Sequence, residues 1–217
     1  APLLYMVKDG VEENLTRFVE GGGSLVTSFF SGLVDDCDSV HLGGYPGPLR
    51  KLLGVWVEET DVMFPGESNR MIFENSEKHE YSCDLLCDRV HPESAQTLAI
   101  YGDDFYAGEA ALTMNKVGQG RAYYLASLLD SEGLQKFLGD VCSAQNVSPV
   151  LPQVQSGVEA MRRVSPDGTE LLYVLNHNAM DVEVALPDGE YSDLLSNQEV
   201  TGRMILPRYG AAILKAM

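Results

Sequence analysis

The sequence predicts an α/β domain followed by a small antiparallel all-β domain. An apolar helical face at residues 11–19 runs through Gly21-Gly22-Gly23 into a β-branched, aromatic strand at 25–30 (LVTSFF), the order of an αβ unit in a parallel sheet. After Asn146 the chain changes to short period-2 strands separated by turn residues. Ser148-Pro149 and Leu151-Pro152 punctuate that change as a linker, which places the two domains at residues 1–148 and 152–217.

Taken in order, Asp9 with Glu12 has the form of a helix N-cap with its capping-box partner. Val11, Leu15, Phe18 and Val19 then share one helical face, and the glycine triplet supplies the positive φ that ends the helix. A loop rich in Asp and Gly spans 31–47. Leu49, Leu52 and Leu53 predict a short helix stopped at Gly54, before a strand at 55–57. The stretch 61–78 reads as irregular. Strands are expected at 97–101 and 110–117, with Gly118-Gln119-Gly120 turning the second into a hairpin partner at 121–126. Asp130 or Ser131 caps a last helix with Leu134, Phe137, Leu138, Val141 and Cys142 on one face. In the second domain, turns are expected at 166–169, at 187–189 and at Gly202.

Charge excludes whole classes of partner. Fifteen Lys and Arg against 32 Asp and Glu leave a net charge of -17, which repels phosphate backbones and anionic lipid, so neither nucleic acid nor a membrane is expected. Four cysteines are too few for a disulfide scaffold, and without a visible signal peptide they read as reduced thiols of a cytoplasmic protein.

No convincing catalytic constellation emerges. His79, Cys83, Cys87 and His91 are each four apart and would form a metal-like stripe on a helix. As a strand, the same segment puts Tyr81, Cys83, Leu85 and Cys87 on one buried face and Ser82, Asp84 and Asp88 outside. Structural zinc sites bring paired ligands from separate turns, so the strand reading is preferred and no metal or cofactor is expected. Cys37 lies between Asp36 and Asp38, whose charges disfavour a thiolate. The acidic run 35–38 lacks the Gly and alternating oxygens of a calcium loop. Gly118-Gln119-Gly120 leads into a strand, not into the helix that a phosphate loop requires. No G-x-S-x-G elbow occurs, and choosing two of 32 acids as glycosidase carboxylates would be arbitrary.

An ordered set of motifs nevertheless resembles one family. These are NLTRFVEGGGSLVTSFFSG at 14–32, VDD at 34–36 with LGGYPG at 42–47, and LGVWVEE at 53–59. DFYAG at 104–108, GQGRAYY at 118–124, LNH at 175–177 and LPRYG at 206–210 follow in order. Together they resemble the C-terminal part of the glycoside hydrolase family 42 β-galactosidases. The resemblance implies that 1–148 is a trimerisation domain similar in fold to class I glutamine amidotransferases (flavodoxin-like), and that 152–217 is the family's small β domain. It implies that the chain enters the first of these at the tail of its second strand, leaving the sheet without its earlier members. The family's two catalytic glutamates lie in a (β/α)8 barrel of about 250 residues, which could not fit beside these domains. The family's zinc lies in that barrel too and lends Cys83 and Cys87 no support.

The expectation is therefore a non-catalytic oligomerisation portion, self-associating as a homotrimer beside the catalytic barrel of a parent chain. Phe29, Phe30, Tyr45 and Pro46 are the expected contact residues, although Phe29 and Phe30 read equally as strand core. Two alternatives belong to other classes. A stand-alone amidotransferase-like thiol hydrolase would need a cysteine on a Gly-flanked elbow, absent around all four cysteines. A carbohydrate-binding module would have only Tyr173, Tyr191 and Tyr209 for stacking.

Overall fold

The computed structural model describes residues 1–74 and 79–217. It divides into two compact units, 1–146 and 147–217. The first contains helices α1 (Val11–Glu20), α2 (Arg50–Leu53) and α3 (Ser131–Ala144), and strands β1 (Ser24–Ser28), β2 (Val55–Val62), β3 (Asn69–Phe73) and β4 (Glu80–Pro92). Strands β5 (Gln96–Tyr101), β6 (Ala110–Val117), β7 (Gly120–Leu125) and β8 (Ser127–Leu129) complete it.

These strands form one sheet in the order β1-β7-β6-β5-β3-β4-β2, with β8 attached to β4. Only β1 with β7 is a parallel pairing of named strands; the rest are antiparallel. The parallel sheet expected from the αβ order is therefore a mixed sheet. Its physical reason is connection, because a parallel neighbour needs a crossover whereas an antiparallel one can follow directly through a short turn. Gly118-Gln119 between β6 and β7 is the tightest.

Several local expectations are corrected. The N-cap of α1 is Gly10 in the left-handed region, without a side-chain cap, while Glu12 instead accepts a hydrogen bond from Thr16 at 3.1 Å. Val19 is fully buried, but Phe18 is largely exposed, so the apolar face is narrower than its sequence pattern. The strand predicted through residue 30 stops at Ser28, because Phe30 takes φ 57 and turns the chain away. A strand, β3, occupies part of the stretch read as irregular, and positions 75–78 of that stretch lie outside the described residues. At α3 the cap is Asp130, whose carboxylate accepts the Gly133 amide at 2.8 Å. Phe137 is buried against Tyr123, with ring centroids 5.7 Å apart, whereas Leu138 and Cys142 fall outside the contact line.

The second unit is a five-stranded antiparallel sheet of β9 (Val158–Val164), β10 (Glu170–Asn176), β11 (Val182–Asp193), β12 (Gln198–Leu206) and β13 (Ala211–Ala216), ordered β12-β11-β13-β10-β9. Leu172, Val174, Val182, Val184, Leu206 and Leu214 are buried together with Leu151. The expected turns at 187–189 and at Gly202 are instead a bulge within the β11–β12 pair. Ala185 pairs Arg203 and Glu190 pairs Thr201, leaving 186–189 opposite Gly202. The hairpin closes later, where the Asp193 carboxylate accepts the Leu195 amide at 3.1 Å and the Ser196 hydroxyl at 2.6 Å.

One contact fixes how α1 meets the sheet. A Cβ on Gly120 would lie 2.1 Å from the Val19 carbonyl oxygen and 2.2 Å from that of Gly23. Gly120→Ala should lower stability by about 2–3 kcal/mol through backbone displacement. Gly139→Ala, on α3 with nothing within 4 Å, should raise it by about 0.5–1 kcal/mol through helix propensity. Denaturant midpoints of the two variants check both signs.

Candidate functional site

The segment with the most unusual architecture is the loop of residues 31–47, and its own backbone holds it in place. Val34 bridges to Met6 on one side and to Val40 on the other, and Tyr45 bridges to Val57 of β2. The His41 amide donates to the Leu33 carbonyl at 3.0 Å. Gly32, at φ +67, allows the Pro46 carbonyl to approach so closely that a Cβ would lie 2.2 Å from its oxygen. The loop is thus folded onto itself, not draped over the surface.

Its innermost anchor is Tyr45. The phenol donates to the Asp88 carboxylate and lies 2.8 Å from Thr60 Oγ1. Asp88 is 0% exposed and also receives the Thr60 hydroxyl at 2.6 Å and the Tyr124 phenol at 2.6 Å. The donors come from the loop, from β2 and from β7, so one carboxylate ties three elements together. Burial pushes the Asp88 pKa up, and the hydroxyls of Thr60, Tyr124 and Tyr45 oppose that rise. Burial likewise raises Tyr45 and Tyr124, reinforced by the charge of Asp88.

The expected contact residues occupy different environments. Phe29 and Pro46 are buried, Tyr45 is half-buried, and Phe30 is 36% exposed with its ring edge-on to Phe29 at 5.9 Å. The structure brings Tyr45 and Pro46 together as the inner wall of the loop, and Phe29 with Phe30 at its entry.

The cysteines are distributed otherwise than a nucleophile requires. His79, Cys83, Cys87 and His91 do not line a helix, since 80–92 is strand β4. Cys83 and Cys87 are buried, and the Cys87 thiol donates to Ser127 Oγ at 3.8 Å. His91 is turned to Glu58, with Nε2 2.7 Å from the carboxylate, and stacks on Trp56 at 4.9 Å. Cys37 is exposed, and its hydrogen bond to Asp36 and the charges of Asp36 and Asp35 raise its pKa. The Asp35 carboxylate closes its own turn by accepting the amides of Cys37 and Ser39, each at 2.9 Å. In the second unit, Tyr191 lines a cavity of about 350 Å³ that neither Tyr173 nor Tyr209 shares.

Asp88 escaped the sequence reading because of one residue. Leu85, expected inside, is exposed at φ 71 and marks a bulge opposite β8. That shift leaves Leu86, Cys87 and Asp88 consecutively buried, where strict alternation would have turned Asp88 outward.

Comparison with known proteins gives a consistent result. The family described as the β-galactosidase trimerisation domain matches residues 1–148, and the β-galactosidase C-terminal domain matches 157–216. The chain is 46% identical over 217 residues to β-galactosidase BgaA of Planococcus sp. strain SOS Orange, covering 99% of this chain and 32% of that protein. It is 40% identical over 220 residues to β-galactosidase BglY of Alicyclobacillus acidocaldarius, again spanning 32% of the relative. The crystal structure of β-galactosidase from Bacillus circulans sp. alkalophilus superposes with a TM-score of 0.92 at 42% identity, over all of this chain and 32% of its own.

If the Tyr45 phenol holds the loop through Asp88, Tyr45→Phe should cost about 1–3 kcal/mol, read from denaturant midpoints. The pH dependence has a defined sign. A folded-state pKa raised above the ordinary aspartate value means the native state binds more protons in the window between the two. The contribution of Asp88 is fully present below the ordinary value and is lost as pH rises through the raised one. Wild type should therefore gain stability relative to Asp88→Asn as pH is lowered toward the ordinary aspartate value, measured as paired urea titrations.

Proposed function

The chain belongs to the glycoside hydrolase family 42 β-galactosidases, and on that premise we propose that it is their non-catalytic oligomerisation portion, which holds catalytic barrels together as a homotrimer. The observation that carries this reading is one of coverage. Nearly the whole chain aligns with the relatives named above yet spans 32% of each, and it falls on the domains described as trimerisation and C-terminal. In this reading residues 1–148 assemble the particle and 152–217 form the closing β domain. Hydrolysis of terminal β-galactosides, with retention and through two glutamates, takes place in the barrel of the parent chain, in the cytoplasm.

The first domain is read as the amidotransferase-like fold with an edge open. Strand β1 ends the sheet, pairing only β7 among the named strands, and in parallel. Residues 1–4 run beside it in the same direction. The Ala1 ammonium donates to the Val26 carbonyl at 2.8 Å, and the Leu3 amide donates to Ser28 Oγ at 3.0 Å. Such a run, followed by α1 and then β1, has the direction and connection of a βαβ crossover. The subunit contact is placed at the loop of 31–47, with Phe30 as its exposed aromatic and Phe29, Tyr45 and Pro46 setting its shape.

Light scattering after size exclusion should give a particle of about three chains. A strictly monomeric chain at all concentrations would remove the assembly reading. Purified chain should release no chromophore from a nitrophenyl β-galactoside, and turnover that survives further purification would place catalysis here instead.

A further inference from the structure

We infer that the cavity of about 350 Å³ on the core face of the small β sheet binds a neutral monosaccharide or disaccharide, with Tyr191 as the stacking ring and Arg162 and Glu170 as the hydrogen-bonding rim. The inference concerns the second unit alone and does not depend on the assembly reading.

Strand pairing puts the lining on one face. Arg162 of β9 stands opposite Leu172 of β10, and Leu172 stands opposite Leu214 of β13. Glu170 comes two positions before Leu172, and Ala216 comes two after Leu214 and stands opposite Tyr191 of β11. All six therefore share one side of the sheet. Leu151, buried in the same core, anchors the segment of 148–150 as a second wall. Pro187 supplies a third, carried there by the bulge of 186–189. Bulges commonly re-aim side chains beside functional sites. In this one Gly189 lies against Tyr191, where a Cβ would be 3.7 Å from the ring carbon Cε2.

The chemistry of the lining selects the ligand. Its volume lies at the lower end of the range of small-molecule pockets, about 300–1,000 Å³, and suits a compact molecule. Leu172 and Leu214 form a buried apolar floor, and Tyr191 is half-buried. The Tyr191 hydroxyl has no hydrogen-bond partner among the described residues. Arg162 Nη1 and Glu170 Oε2 are 3.6 Å apart, too far for a hydrogen bond, so the guanidinium keeps donors free and the carboxylate keeps acceptors free. An apolar ligand would shield that pair from water and return no hydrogen bond. An anion would meet Glu170 in a chain of net charge -17, and a cation would meet Arg162. A sugar answers each part. Neighbouring hydroxyls donate to the carboxylate and accept from the guanidinium, while the C–H face of the ring lies on the electron-rich face of the phenol.

The test is saturation-transfer NMR of the purified chain with galactose, glucose and lactose. Titration calorimetry of wild type, Tyr191→Ala and the Arg162→Ala/Glu170→Gln double variant then measures affinity. We expect transfer to sugar ring protons, saturable binding by wild type, and affinity weaker by about tenfold in each variant. Both rim side chains are exposed, so the double variant should keep the wild-type thermal midpoint. If Tyr191→Ala unfolds the sheet, the double variant decides. Absence of transfer to all three sugars overturns the inference, and so does a folded double variant that binds as tightly as wild type. A monomeric chain that binds sugar through these residues upholds it. A trimer that binds none overturns it and leaves the assembly reading standing.

Discussion

A carboxylate fully removed from water, with hydroxyls from three separate elements pointed at it, is the constraint on which the first unit depends. Asp88 stands on β4, and its partners come from β2, from β7 and from the loop of 31–47. Burying such a group is unfavourable unless its hydrogen-bonding capacity is met, so its partners are not interchangeable with apolar residues of similar size. The neighbouring backbone joins in. The Asp88 amide donates to the Ala126 carbonyl at 2.9 Å, and the Tyr101 phenol lies between the Asp88 and Ala126 carbonyls at 3.2 and 3.1 Å. The hydroxyl-bearing residues thereby fix register across the sheet as well as the position of the loop.

That arrangement suits a connective part better than a catalytic one. Asp88, whose pKa burial raises, faces hydroxyls inside the core. The buried cysteines share the interior of β4, and of the two exposed ones Cys37 sits among acids that raise its pKa. What the first unit does present outward is shape: the loop of 31–47, its backbone fixed by its own bridges and hydrogen bonds.

Much of the layout was legible in the sequence, and the failures share a cause. Helix α3 with its Asp130 cap, the β6–β7 hairpin and the stop at Gly54 follow from local chemistry, and the structure keeps them. The family followed from the order of motifs along the chain. What went unread depends on single-residue irregularities whose energy comes from tertiary contacts. The bulge at Leu85 hid Asp88, and the left-handed Phe30 shortened β1. The four residues opposite Gly202 made a bulge look like a turn, since Pro, Asp and Gly suit either. The mixed sheet was missed because pairing partners are distant in sequence, and an αβ order constrains only its own two neighbours.

The same bulge in the small sheet has a protective effect. Sheet borders are where unrelated chains stick to one another and begin to form fibrils. Here the β11–β12 pairing is interrupted where residues 186–189 stand opposite Gly202, β12 carries exposed Glu199 and Arg203, and the opposite border, β9, carries exposed Glu159, Arg162 and Arg163. Neither side offers the long, flat, uncharged ladder that a stray strand could copy.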